Sequence, residues 1–264
     1  MTDRKSSKRM SERRRLVAER MAERFEDLSI GKIVPSALTL MGLCSGATAM
    51  RFALYGEWKH AVLAIAMAMV FDMLDGRAAR MLGADTRFGA QLDSLADLVS
   101  FGIAPALIVY TWSLSRIGDA GWAAALIFCT CSALRLARFN IQSVRDEGAT
   151  EKKPYFTGLP TPAAAGIMLF PLLVSFQLGA ETLREPIFSG VMIGATSILM
   201  VSRLPTPSIK YLKLNRFVLA AILGLMLVSL IVWPWSTLTA TLLIYLASIP
   251  IGMLNARQQA RAHG

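Results

Sequence analysis

Long apolar segments alternate with short charged segments along most of the chain. Most apolar segments have about 18–22 residues, the length that an α-helix needs to cross a hydrocarbon core of about 30 Å. Because backbone polar groups at membrane depth must be hydrogen-bonded within the protein, these segments are predicted to be helices. The pattern predicts about eight spans, at 33–54, 60–80, 93–114, 120–142, 161–180, 186–203, 216–233 and 236–255.

The composition agrees with a membrane location for these segments. Of the 264 residues, 54% are hydrophobic and only 17% are charged, and the mean hydropathy is +0.48. Soluble domains carry about 25% charged residues and interrupt their apolar runs more often. We therefore predict an all-α polytopic transmembrane bundle. Its membrane domain at 33–256 lies between a basic arm at 1–32 and a short tail at 257–264.

The residues at the ends of the spans indicate which side of the membrane each loop faces. Lys and Arg concentrate in alternate connecting segments and near the C-terminus, at Arg77, Arg80, Arg87, Arg145, Lys152, Lys153, Arg203, Lys210, Lys213, Arg216, Arg257 and Arg261. The tryptophans fall at the opposite ends of the spans, at Trp58, Trp112, Trp122, Trp233 and Trp235. Because basic loops stay on the cytoplasmic side and Trp anchors at membrane interfaces, both termini are predicted to be cytoplasmic.

The N-terminal arm carries an amphipathic pattern at residues 10–28. Its apolar stripe is flanked by arginines and consists of Leu16, Val17, Met21, Phe25 and Leu28. This pattern is typical of a helix that lies in the headgroup layer. The alternative is a solvated charged arm that only sets the topology. Much of the net charge of +10 lies in this arm, beside membrane spans, so we assign it to anionic lipid and predict no nucleic-acid partner.

Four aspartates occur near the predicted cytoplasmic ends of the second and third spans. Asp72 and Asp75 are three residues apart, and Asp93 and Asp97 are four apart, so each pair lies on one face of a helix. A short turn at roughly 81–92 joins the two helices. The helices are therefore predicted to run antiparallel as neighbours, with all four carboxylates close together.

Clustered carboxylates near the bilayer repel one another and lose hydration, so they need a compensating positive charge. Carboxylate ligands without His or Cys favour Mg²⁺ or Mn²⁺ over zinc, and one or two such ions would neutralise the cluster. The two histidines, His60 and His263, lie on the outer side and in the tail. Any general base at this site is therefore predicted to be a carboxylate.

Gly76 and Arg80 add features of a binding site beside the aspartates. A glycine directly after Asp75 opens the helix surface to close approach by a ligand, and Arg80 one turn later can bind a phosphate. Two alternatives remain at this stage. The carboxylates could serve helix packing alone, or they could line a cation or proton pathway in a transporter.

The full pattern is Asp-x2-Asp-Gly-x2-Ala-Arg-x8-Gly-x3-Asp-x3-Asp. It is formed by Asp72, Asp75, Gly76, Ala79, Arg80, Gly89, Asp93 and Asp97. This pattern resembles the signature of the CDP-alcohol phosphatidyltransferase family without a departure. The resemblance implies a CDP-linked lipid donor, an alcohol acceptor and CMP as the leaving group.

The resemblance also implies a role for each of these residues. Asp72, Asp75, Asp93 and Asp97 would bind Mg²⁺ or Mn²⁺, as two ions. Asp97 would in addition take the proton from the acceptor hydroxyl. The CDP-binding residues would be Gly76, Ala79 and Arg80, and the enzyme would act as a homodimer.

Three further stretches resemble the phosphatidylserine synthase branch of bacteria and archaea, at 93–105, 133–140 and 156–165. This branch implies CDP-diacylglycerol and L-serine as substrates and the bacterial plasma membrane as the location. A fourth stretch, Pro35-Ser36-Ala37-Leu38-Thr39, departs from the family's Pro-Asn-x-Leu-Thr at Ser36, so we assign no cytidine contact there.

A serine acceptor needs a cationic partner for its carboxylate. Arg135 and Arg138 lie three residues apart at the cytoplasmic end of the fourth span, and Asn140 follows them. These three residues are the predicted acceptor site. The arginines could instead be ordinary cytoplasmic-side charges or partners of the aspartates. The acceptor could also be glycerol 3-phosphate, choline or an inositol phosphate, and the donor could be an archaeal ether lipid.

Overall fold

The computed structural model describes residues 30–83, 86–146, 156–157, 159–179, 181–202, 205–206, 228–230 and 232–247. Nearly all of these residues are helical, which confirms the predicted fold class at the level of a helical bundle. The predicted amphipathic helix at 10–28 and the tail at 257–264 lie outside the described residues. The first described helix begins at Ile30, and the predicted boundary of the arm at residue 32 remains a prediction.

The first half of the chain forms long helices. These are α1 at Ile30–Leu54, α2 at Trp58–Leu82, α3 at Arg87–Asp97, a π-helical segment at Leu98–Ile103, and α4 at Ala104–Trp112. The π segment joins α3 and α4 into one apolar helix that is long enough to cross a membrane, Phe88–Trp112. A 3₁₀ turn at Leu114–Ile117 leads into α5 at Asp119–Asp146.

The second half contains shorter helices. These are α6 at Thr161–Met168, α7 at Phe170–Leu178, a 3₁₀ turn at Glu181–Arg184, α8 at Pro186–Val201, and a helical segment at 234–247. The connections on either side of α6 to α8 meet in a two-residue antiparallel pairing of Phe156–Thr157 with Pro205–Thr206. This pairing is the one β-structure in the part of the chain that is described.

The corner between α2 and α3 is tighter than predicted. The expected turn covered roughly 81–92, but α2 continues to Leu82 and α3 begins at Arg87. Gly83 ends α2 in the left-handed conformation, with φ of 60°, which costs glycine little because it has no Cβ. Thr86 then starts α3, because its hydroxyl accepts a hydrogen bond from the Gly89 backbone N–H at 3.0 Å.

The helix α1 contacts most of the other helices in this half of the bundle. It packs along α2 and also contacts α3, the π segment and α4, whereas α2 packs more closely against α1 than against α3. The predicted neighbours α2 and α3 are therefore joined mainly through α1. At one point α1 touches the π segment directly, since Ser100 donates a hydrogen bond to the Gly42 carbonyl at 3.2 Å.

Some of the predicted spans coincide with described helices that are long and apolar enough to cross a membrane. The other spans of the predicted total of about eight remain predictions. Within the described residues, three helices qualify, at Ile33–Leu54, Phe88–Trp112 and Asp119–Gln142. A fourth span is possible if α6 and α7, which are bent by 42° at their junction, count as one. Charged residues interrupt α2, and α8 has only 16 residues.

The core lies between these helices and is made of small and medium apolar side chains. Phe101 of the π segment, Ile65 of α2, Phe128 of α5 and Met168 of α6 are almost fully buried in it. Many other large apolar side chains are exposed on the outer faces of the helices. A hydrocarbon environment makes such exposure favourable, as expected for a membrane bundle.

Candidate active site

Three of the four predicted aspartates form a compact cluster. Asp72, Asp75 and Asp93 each place one carboxylate oxygen so that these oxygens all lie within 4.8 Å of one another. Asp72 and Asp75 share a face of α2 because they are three residues apart, and Asp93 comes from α3. The predicted convergence of the two helices on one acidic site is therefore present in the structure.

Asp97 lies beside this cluster but is not part of the compact set. It lines the same small cavity, of about 10 Å³. The other lining residues come from α1, α2, α3 and the π segment and are Thr39, Gly42, Ala68, Asp72, Asp75, Asp93, Ala96, Ser100 and Phe101. A cavity of this size has room for about one water molecule or ion. Asp97 stands at the boundary between α3 and the π segment, and π segments are frequent at functional sites.

The acidic cluster has the properties of a divalent-metal site. Its donors are carboxylate oxygens, which suit hard cations such as Mg²⁺ and Mn²⁺. Asp75 is only 5% exposed, and an anionic group this buried is costly unless a positive charge lies close to it. The residues present therefore fit a bound divalent cation. Asp72, Asp75 and Asp93 would hold it, with Asp97 beside them.

Thr39 of α1 completes the surroundings of Asp75. Its hydroxyl donates a hydrogen bond to Asp75 Oδ2 at 2.6 Å, a distance typical of a charge-assisted bond. Both side chains are buried. No role was predicted for Thr39 from the sequence, although a hydroxyl within an apolar helix needs a hydrogen-bond acceptor and so indicates a polar partner nearby.

The predicted CDP-binding residues follow the aspartates along α2. A Cβ built on Gly76 would have no atom within 4 Å, so the helix surface is open beside Asp75. Ala79 is half-buried one turn further on, and the Arg80 side chain is exposed. The open surface and the exposed guanidinium are what a phosphate-bearing ligand needs, and the assignment of CDP to them remains a prediction.

Arg135 of α5 lies near the acidic site, because α5 packs against α3 and the π segment. Its guanidinium interacts electrostatically with the Asp97 carboxylate, and its Nη1 donates a hydrogen bond to the buried Thr161 hydroxyl at the start of α6. The Nε atom of Arg135 is buried without a partner among the described residues. Arg135 is therefore held next to the predicted base with one hydrogen-bond donor unused.

The other two predicted acceptor residues have different surroundings. Arg138 donates from Nη1 to the Val201 carbonyl at 2.9 Å, which places its guanidinium at the C-terminal end of α8. Asn140 accepts a hydrogen bond from Ser94 at 2.9 Å, and Ser94 directly follows Asp93. Asn140 is thus tied to the acidic helix α3, whereas Arg138 is engaged by the backbone of α8.

Comparison with known proteins assigns the chain to a family. Residues 32–202 match the family model described as CDP-alcohol phosphatidyltransferase. That segment contains all the predicted site residues.

Several relatives are similar over most of the chain. The CDP-diacylglycerol–serine O-phosphatidyltransferase of Mycobacterium leprae is 36% identical over 86% of this chain and 76% of its own length. The protein of the same name from Mycobacterium tuberculosis is 35% identical over 87% of this chain and 81% of its own length. The one from Bacillus subtilis is 36% identical over 67% of this chain and 91% of its own length. The chain belongs to the CDP-alcohol phosphatidyltransferase family.

Proposed function

We propose that the protein transfers a phosphatidyl group from CDP-diacylglycerol to the hydroxyl of L-serine, which yields phosphatidylserine and CMP. The observation that carries this proposal is the meeting of Asp72, Asp75 and Asp93 within 4.8 Å, with Asp97 and Arg135 beside them. The names of the relatives support serine as the acceptor.

The donor would bind along α2. Gly76 leaves the helix surface open, and the exposed Arg80 guanidinium is available to the diphosphate. A divalent cation bound by the aspartates would neutralise diphosphate charge and stabilise the departing CMP. The acyl chains would remain in the lipid, while the nucleotide would reach water at the same interface.

The reaction is a displacement at phosphorus. The serine oxygen forms a bond to the phosphorus that carries diacylglycerol, and the bond from this phosphorus to the bridging oxygen breaks, so that CMP leaves with the electron pair. The Asp97 carboxylate would accept the proton of the serine hydroxyl. Arg135 would bind the serine carboxylate and thereby orient the hydroxyl. Its guanidinium interacts electrostatically with Asp97, and its Nε donor has no partner among the described residues.

The proposal includes a place in the cell. The site would lie at the cytoplasmic face of a bacterial plasma membrane, with both termini in the cytoplasm. The loop charges and the tryptophan positions support this orientation. The protein is also proposed to act as a homodimer, which cross-linking in native membranes would test.

The direct test is CMP release by the purified protein with CDP-diacylglycerol, Mn²⁺ and separate alcohols. We expect CMP release with L-serine and none above background with glycerol 3-phosphate, choline or inositol phosphate. A different preferred alcohol would overturn serine as the acceptor and keep the reaction class. No CMP release with any alcohol, together with no thermal protection by CDP-diacylglycerol, would overturn the reaction class and favour a cation transporter.

A further inference from the structure

Thr39 of α1 donates a hydrogen bond to the acidic cluster from a helix that carries none of the four aspartates. Its Oγ1 lies 2.6 Å from Asp75 Oδ2, and the two residues are separated by 36 positions in the sequence. Thr39 is 6% exposed and Asp75 is 5% exposed, so water does not compete strongly for this bond. From this contact we infer that Thr39 is a positioning residue for the metal site.

The same hydroxyl also approaches its own helix. Thr39 Oγ1 lies 3.0 Å from the Pro35 carbonyl, one turn earlier in α1. A threonine in a helix adopts this rotamer because its hydroxyl can reach the carbonyl four residues before it. The rotamer that Pro35 favours is therefore the rotamer that presents the hydroxyl to Asp75. Since the hydroxyl has one proton, the shorter contact with the anionic Asp75 is the stronger of the two.

The hydrogen bond constrains Asp75 without using up its capacity as a ligand. An ionised carboxylate offers about four lone-pair directions, so one donor leaves acceptor positions for a cation. Outer hydrogen bonds of this kind fix the orientation of a metal ligand, and their loss costs about 10–100-fold in metal affinity. Thr39 would thus act on the metal through Asp75 and not by direct contact with substrate.

The position of α1 makes it suited to this role. The helix packs along α2, which carries Asp72 and Asp75, and it also contacts α3 and the π segment, which lie on either side of Asp97. The hydrogen bond from Ser100 to the Gly42 carbonyl ties the π segment to α1 one turn beyond Thr39. One helix therefore contacts both of the helices that supply the acidic residues.

This inference rests on the proposed metal-dependent function, and the test separates the two. Mn²⁺ binding to the purified full chain would be titrated by electron paramagnetic resonance, in the absence of any substrate. The variants are Thr39→Val, which keeps the shape of the side chain and removes the hydroxyl, and Thr39→Ser, which keeps the hydroxyl. The control is Thr48→Val on the same helix, because the exposed Thr48 hydroxyl donates a hydrogen bond to the Cys44 carbonyl of α1.

The expected result is a rise of about 10–100-fold in the Mn²⁺ dissociation constant for Thr39→Val. Thr39→Ser and Thr48→Val should retain the wild-type value within error. Combining Thr39→Val with Asp75→Asn should add nothing to the effect of Asp75→Asn alone, since the hydroxyl would act only through that carboxylate. In turnover assays, the Mn²⁺ concentration for half-maximal rate should rise for Thr39→Val, and excess Mn²⁺ should restore most of kcat.

The other outcomes would contradict either the role of Thr39 or the metal site itself. Wild-type Mn²⁺ affinity in Thr39→Val would overturn the inference and leave the proposed function intact. Equal loss in Thr39→Val and Thr39→Ser would also overturn it, because the hydroxyl would then not be the operative group. No Mn²⁺ binding by the wild-type protein would overturn the metal site itself, and the proposed function with it.

Discussion

Gly46 of α1 lies against Ser100 of the π segment with no space for a side chain between them. A Cβ built on Gly46 would lie 2.4 Å from Ser100 Oγ and 2.7 Å from Ser100 Cα. The second contact involves the backbone, so a rotamer change of Ser100 cannot relieve it. The close approach of these two residues brings α1 next to the segment that begins directly after Asp97.

We expect Gly46→Ala to destabilise the protein by about 1–3 kcal/mol, because overpacking forces the helix backbones apart. Thermal unfolding of the detergent-solubilised protein would measure this effect through the loss of tryptophan fluorescence. The matched control is Gly190→Ala on α8, where a new Cβ would meet no atom within 4 Å. An unfolding temperature for Gly46→Ala equal to that of the wild type would show that the contact with Ser100 is not tight.

Gly76→Ala should weaken the use of CDP-diacylglycerol without lowering the stability of the protein. The new Cβ meets no protein atom within 4 Å, and alanine stabilises a helix interior by about 0.5–1 kcal/mol relative to glycine. The unfolding temperature should therefore rise or stay constant, while KM for CDP-diacylglycerol should increase because the open surface beside Asp75 is filled. Gly190→Ala should give the same gain in stability with an unchanged KM. If Gly76→Ala leaves KM unchanged, the donor does not bind along this face of α2.

Asp97→Asn should abolish turnover while part of the nucleotide binding survives. A general base contributes about 10²–10⁴-fold to a rate, and asparagine cannot accept the proton. CMP release would measure the rate, and calorimetric titration with CDP would measure binding. Asp119→Asn, at the exposed start of α5, is the control. Loss of CDP binding together with loss of the folded state would count against a role for Asp97 as the base.

Arg135→Ala should raise KM for serine by about 10–100-fold, since a hydrogen bond to a charged group contributes about 1.5–3 kcal/mol. The serine KM of Arg135→Lys should lie between those of the wild type and Arg135→Ala, because lysine keeps the charge and loses the planar set of donors. The control is Arg116→Ala, which removes an exposed ion pair with Glu185. An unchanged serine KM combined with loss of folding would assign Arg135 to a structural role.

The acidic site was predictable because its geometry is local. Asp72 and Asp75 are three residues apart, and Asp93 and Asp97 are four apart, so helical periodicity alone places each pair on one face. A short connection then brings the two faces to the same end of the bundle. The compact set of Asp72, Asp75 and Asp93 follows from these two facts.

Other features depend on contacts that local patterns do not contain. Hydropathy placed the turn at roughly 81–92 because Arg87 and Gln91 are polar. The Thr86 cap nevertheless allows the helix to begin several residues before the predicted apolar span at 93–114. The bend of 42° between α6 and α7 also divides a segment that hydropathy treats as continuous. The partners of Thr39 and Arg138 lie on other helices, so sequence spacing could not identify them.

The π segment at Leu98–Ile103 has a consequence for how this enzyme tolerates changes in length. A π turn holds more residues than an α turn, so removing one residue here would turn the segment into ordinary α-helix. Because the wider turn absorbs the additional residue, such a deletion would leave the flanking helices α3 and α4 in nearly the same rotational register. Each residue of an α-helix advances the direction of its side chain by about 100°. A single deletion within α4, Ala104–Trp112, would therefore rotate the residues beyond it relative to the acidic residues. Deletions should consequently be tolerated better within the six π-helical residues than in the helices on either side of them.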